Sequence, residues 1–210
     1  MALLPPRCGA PSRALCLLAA VLLVRPARPT RSPPAAVNAA RSHAARWSNA
    51  PPLGWNPCNG YECHMSTIGE EALRGIADAI AANGMRDAGY TLFALDDGWQ
   101  GPRSAGAGAL TANASAFPSA TLAPLAAHLA SLGLALGAYT DRGELTCEKQ
   151  AGSRGHEAQD VATLAGWGIA FLKEDSCNSS EVEADRRAEY GLMSAAAAAR
   201  GLFLSVCGWA

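Results

Sequence analysis

Five times after Pro51 the chain runs through a short apolar stretch that stops in polar or aromatic residues: LGWNPC (53–58), GYTLFALDDGW (89–99), GLALGAYTDRG (133–143), GIAFLKEDSC (168–177) and GLFLSVCGW (201–209). Helical patterns rich in Ala and Leu fill the gaps, over 71–82, 122–132, 159–167 and 184–200. A glycine introduces each later apolar stretch and is placed to close the helix before it. Asp160 suits the first turn of its helix, where a carboxylate meets free backbone N–H groups. Strands that alternate with helices of this length pair in parallel, because each helix carries the chain back to the starting edge of the sheet. The expected fold class is α/β, with five strands in the 160 residues after position 50. Two architectures remain open on this reading. A doubly wound open sheet is complete at that length, whereas an eight-fold βα barrel needs about 250 residues.

Both architectures place ligands at the C-terminal ends of the strands, and those ends carry the unusual residues here: Asp96 and Asp97, Tyr139 and Asp141, Lys173 and Asp175, Cys207 and Trp209. LDDGW sets two adjacent carboxylates where an apolar strand stops, with Trp99 close by. An Asp-Asp pair is common in turns, but at a strand end beside an aromatic it fits a sugar, whose hydroxyls donate to carboxylates and whose ring face packs on indole. In FLKEDSC the period of two points Phe171, Lys173 and Asp175 to one side and Leu172 and Glu174 to the other. If that side is an interior, Lys173 favours the ionised form of Asp175, as a nucleophile requires; the plain alternative is an internal ion pair without chemistry.

The first 50 residues read as an address. They hold seven of the 17 basic side chains, and no acidic residue precedes Glu62. Arg7 and Arg13 precede the apolar run Ala14–Val24, which at 11 residues is too short to span a bilayer, where about 20 are needed. A positive segment followed by roughly 7 to 15 apolar residues is a secretory signal, with an organellar transit peptide as the alternative. Residues 25–50 read as a cleavage region and linker, so the organisation is 1–50 leader plus linker and 51–210 folded domain, with no membrane anchor after cleavage. Beyond position 50 the charge is 10 basic against 18 acidic, which argues against a nucleic-acid partner.

In an oxidising compartment Cys147 and Cys177, just beyond successive strand ends, are placed to bridge two loops, and Cys58 and Cys63 are candidates for a local pair. Cys207 lies within an apolar strand and reads as a free thiol. No CxxC or HxxxH occurs and His64, His128 and His156 are scattered, so no metal site is expected. GxGxxG and GxxxxGK[ST] are missing, which removes the usual nucleotide signatures. Asn113-Ala114-Ser115 and Asn178-Ser179-Ser180 are glycan acceptor triplets for a secreted chain.

With PPLGWN (51–56), ADAIAANGMRDAGY (77–90), LDDGWQ (95–100), Phe117-Pro118, GLALGAYTDRGELTC (133–147), GSRGHEAQDVATLAGWGIAFLKEDSC (152–177) and LSVCGW (204–209) in order, the sequence resembles the α-galactosidase and α-N-acetylgalactosaminidase family, glycoside hydrolase family 27 of clan D. The resemblance implies the N-terminal part of a (β/α)8 TIM barrel and a retaining exo-glycosidase that acts on terminal α-galactosyl groups without a cofactor. It implies Asp175 as nucleophile, Asp96, Asp97, Tyr139, Lys173 and Trp209 as sugar-binding residues, and Cys147–Cys177 as a disulfide at the pocket rim. It also places the general acid/base beyond Ala210, which makes this chain a fragment; a sugar-binding remnant without catalysis is the competing expectation. Cys58 stands where the family carries an aromatic, Gly98 where many members carry Cys, and Gly208 where an acidic residue is common. The resemblance leaves galactose against N-acetylgalactosamine open, as it does the oligomeric state. It points to secretion or a vacuolar or lysosomal location.

Overall fold

In a computed structural model of the chain the described residues are 35–47, 49–61 and 68–208, and Pro33–Ala210 form one compact unit. The apolar run Ala14–Val24, Cys63, His64 and Trp209 lie outside the described residues. In chain order the elements are α1 (Ala35–Trp47), β1 (Leu53–Trp55), α2 (Gly69–Ala82), β2 (Tyr90–Ala94), α3 (Ala123–Ser131), β3 (Ala135–Asp141), α4 (Glu157–Trp167), β4 (Phe171–Asp175), α5 (Glu183–Arg200) and β5 (Phe203–Val206). A short 3-10 turn covers Cys58–Gly60. Pro124 stands in the first turn of α3, where its missing N–H costs no hydrogen bond. Gly168 and Gly201 end α4 and α5 with φ of 90° and 70°, a left-handed turn that a side chain would strain.

The five strands pair in parallel in the order β1-β2-β3-β4-β5. A doubly wound sheet reverses its order at a switch point, so this order excludes the open-sheet alternative. Right-handed crossovers then put α2 to α5 on one face, and the strands form the N-terminal half of a barrel. The barrel's length argued for the open sheet; topology overrules it.

Alternation along the strands divides the apolar residues between two cores. Phe93, Leu95, Leu136 and Leu172 pack outward among Leu73, Leu125, Leu129, Val161 and Leu164 of the helices. Leu92, Ala94, Ala135, Phe171 and Phe203 point inward. The linker expected over 25–50 is in part the helix α1, whose Val37, Ala40, Ala44 and Trp47 are buried. Trp47 meets Phe171 and Phe203 edge-on at 6.1 and 6.2 Å, so this segment fills the inner core at the N-terminal ends of the strands.

Candidate active site

The C-terminal ends of β2, β3 and β4 bring together the acidic residues singled out in the sequence. Asp96 and Asp97 follow β2 and are buried, as is Asp175 at the last position of β4. Lys173 shares the inward face with Asp175 and spans the gap between strands: its Nζ lies 3.2 and 3.3 Å from the two Asp96 oxygens and 3.6 Å from Asp175 Oδ2. Burial pulls the Lys173 ammonium down, but the Asp96 and Asp175 carboxylates more than offset it and hold its pKa above the ordinary value. The same Nζ stands 4.9 Å from the centre of the Tyr139 ring. One cation thus joins two carboxylates and an aromatic wall.

Backbone and amide donors fix the carboxylates. Asn56, just past β1, donates to Asp96 Oδ2 at 2.8 Å, and the Asp97 N–H donates to Asp96 Oδ1 at 3.0 Å. Asp97 accepts from the N–H groups of Gly98 and Glu148, both at 2.8 Å, which ties the loop after β2 to the loop after β3. Its pKa is raised, because burial outweighs those bonds. Burial also raises the Tyr139 phenol, and the carboxylates of Asp97 and Asp175 push the same way, so the ring carries a neutral hydroxyl.

Asp141 was visible at a strand end but was assigned no role. It stands opposite Asp175 in the ladder and accepts from Gly143 N–H and Cys177 N–H, each at 2.7 Å. Burial pushes its carboxyl up to about 6; the two N–H bonds oppose this and the neighbouring Asp175 adds to it. Asn56 was likewise missed, although it lies within the PPLGWN match. Its one signal is its position directly after the first strand.

Cys147 and Cys177 form a disulfide with a Cα–Cα distance of 5.1 Å, as expected at the rim. The Tyr139 hydroxyl lies 3.2 Å from Cys147 Sγ. Cys207 is free; burial and the nearby Asp175 raise its thiol pKa. Cys58 is disulfide-bonded, and its candidate partner Cys63 is outside the described residues. Trp209 also lies outside the described residues. Asp141, Cys147, Asp175 and Cys177 bring their ligand atoms within 4.8 Å of one another, but the two sulfurs are spent in the disulfide.

Behind the sheet sits a second charged cluster. Arg142 is buried and donates to Glu189 Oε2 at 2.7 Å and to the Ser180 carbonyl at 2.8 Å. Its backbone N–H holds the Asp175 carbonyl at 3.0 Å, which links the cluster to the strand end. Glu174, the outward neighbour of Asp175, is fully buried and neither of its oxygens has a hydrogen-bond partner. Burial pushes its pKa up to about 9, and Glu157 and Asp141 add to the shift.

Fold and site together define a class: a parallel βα half-barrel whose carboxylates and lysine converge at the strand ends, the face on which βα barrels carry their chemistry. Comparison with known proteins narrows the class. The profile of the family described as alpha galactosidase A matches residues 50–210, and the chain belongs to that family. It is 40% identical over 162 residues to the alpha-galactosidase of Coffea arabica, covering 76% of this chain and 41% of that protein. Alpha-galactosidase A of Cellvibrio japonicus is 37% identical over 175 residues, with 82% and 42% covered. Among solved structures, alpha-galactosidase I from Mortierella vinacea superposes with a TM-score of 0.69 at 35% identity, over 76% of this chain and 40% of that one. The Saccharomyces cerevisiae alpha-galactosidase solved with raffinose gives 0.70 at 32% identity, over 76% and 35%. The chain spans about two fifths of the length of the curated relatives it matches. None of the helices among the described residues is long and apolar enough to cross a membrane.

Proposed function

We propose that this chain forms the nucleophile-bearing half of the pocket of a retaining α-galactosidase, which removes terminal α-D-galactosyl groups from oligosaccharides or glycoconjugates. The observation that carries the proposal is the Lys173 bridge, which sets Asp175 and Asp96 on either side of one ammonium at the strand ends. In this reading an Asp175 oxygen attacks the anomeric carbon, the bond from that carbon to the leaving oxygen breaks, and a covalent galactosyl ester forms. A second carboxylic acid about 5 to 5.5 Å away, supplied from outside these 210 residues, gives the leaving oxygen its proton and then takes one from the water that hydrolyses the ester. Asp96 and Asp97 accept from sugar hydroxyls, Lys173 donates to them, and Tyr139 and Trp209 wall the ring. The chemistry needs no metal or organic cofactor. The segment that holds the apolar run Ala14–Val24, ahead of the packed helix α1, acts as the leader that routes the chain into the secretory pathway, towards secretion or a vacuole or lysosome.

A 2-deoxy-2-fluoro-galactosyl donor with an activated leaving group tests the nucleophile on this chain as it stands, because a good leaving group departs without the general acid. The expected result is a stable label on the peptide that contains Asp175, and no label in Asp175→Asn. Asp97→Asn keeps the labelling but slows it roughly 10- to 100-fold, the worth of about 1.5–3 kcal/mol for a hydrogen bond to a charged group. Label on another carboxylate would reassign the nucleophile; galactose binding without label would leave a sugar-binding remnant.

A further inference from the structure

The two glycan acceptor triplets are alike in sequence and opposite in structure, and we propose that Asn113 is the site of an N-linked glycan whereas Asn178 is withheld from modification by the fold. In the Asn113 triplet the turn is held by main-chain groups. Asn113 N–H donates to the Trp99 carbonyl at 2.9 Å, and the Asn113 carbonyl accepts from Ala116 and Phe117 at 3.0 and 2.8 Å. Its side-chain oxygen accepts from Ser115 N–H at 3.0 Å, an Asx-turn that faces the amide towards the third residue of the triplet. Its side-chain nitrogen donates to nothing among the described residues, and Ala114 and Ser115 are exposed. A sugar on that nitrogen breaks no bond of the fold.

At Asn178 every polar atom of the side chain is engaged. Its Nδ2 donates to the Thr146 carbonyl at 2.8 Å and to the Leu145 carbonyl at 3.4 Å, and its Oδ1 accepts from the Lys149 ammonium. These bonds cross from the β4–α5 loop to the β3–α4 loop beside the Cys147–Cys177 disulfide, and the residue adopts φ of 50° to make them. Glycosylation replaces one Nδ2 hydrogen, so a glycan here removes a donor that the native loop pairing uses.

The transfer is a substitution at an anomeric carbon. The donor is a lipid-linked oligosaccharide pyrophosphate: a C–N bond forms to Asn113 Nδ2, the bond from the anomeric carbon to the pyrophosphate oxygen breaks, the lipid pyrophosphate leaves, and the amide gives up one proton. The proposal rests on import into the secretory route and on neither catalysis nor sugar binding.

The test separates import from modification. The full chain, preceded by a strong heterologous signal, is translated with microsomes, and only the protease-protected fraction is analysed. Enzymatic deglycosylation in heavy-oxygen water converts each glycosylated Asn to a labelled Asp, and peptides are mapped without reduction. The Cys147–Cys177 cross-linked peptide pair contains Asn178, so its mass reports occupancy in molecules that have formed the disulfide. Expected are labelled Asp at 113, unmodified Asn178 in the cross-linked pair, and loss of the label at 113 in Ser115→Ala. Unmodified Asn113 in protected chains, or label at 178 in the cross-linked pair, overturns the proposal.

Discussion

Glu174 shows how far a single side chain can set the pH response of the molecule. It faces Asp141 and Arg142 from β3 and its following loop, Glu157 from α4 and Glu189 from α5, with no hydrogen bond to its own oxygens. Folding raises its pKa from 4.5 to about 9, so the folded state holds this proton more tightly than the unfolded chain does. The contribution is full below pH 4.5 and is lost as pH climbs towards 9; Asp141, raised from 3.8 to about 6, contributes with the same sign over a lower window. Thermal melts followed by circular dichroism are therefore expected to show a Tm that falls between pH 6 and 9, and Glu174→Gln, which cannot titrate, flattens that fall. Parallel slopes for the two proteins would show that Glu174 does not titrate in the fold. At this scale the sequence was readable where the period of two applied: it separated Lys173 and Asp175 from Glu174. It could not show that Lys173 reaches across to Asp96, because that contact joins residues 77 positions apart on strands that are not neighbours.

The helices were legible to within two residues at each end, since capping glycines and apolar period mark their boundaries, whereas the apolar strand stretches ran on by up to five residues into the loops that follow. The helix α1 was not read. Its Ala-rich stretch follows directly on a Pro- and Arg-rich segment, whose composition masks the helical period. The spacing of Val37, Ala40, Ala44 and Trp47 carries the period of an amphipathic helix, and these are the residues found buried. Trp47 is the anchor, 7% exposed between Phe171 and Phe203. Trp47→Ala is expected to cost about 3–5 kcal/mol in denaturant unfolding, as for other buried aromatics, and Trp47→Phe a good deal less. An unchanged midpoint in Trp47→Ala would mean that the inner core closes without α1.

Across the whole molecule, β1 and β5 each pair on one side only among the described residues, and Leu53 and Val206 on these edges are 47% and 51% exposed. Open parallel edges with apolar side chains template association. The isolated chain is expected to self-associate with rising concentration in sedimentation velocity, and Val206→Lys to reduce this; a monodisperse wild type that unfolds cooperatively would show edges that protect themselves. Barrel or open sheet was the one architectural choice that strand count could not make, since it depends on which strands meet rather than on how many there are. The order in which they meet also bears on how the chain folds during synthesis. From β2 to β5 each strand pairs with the one that left the ribosome before it, so this part of the sheet can grow in the direction of translation. Asp96 is then in place just after β2 before its cation, and the charge balance of the pocket is completed only when β4 delivers Lys173 together with Asp175.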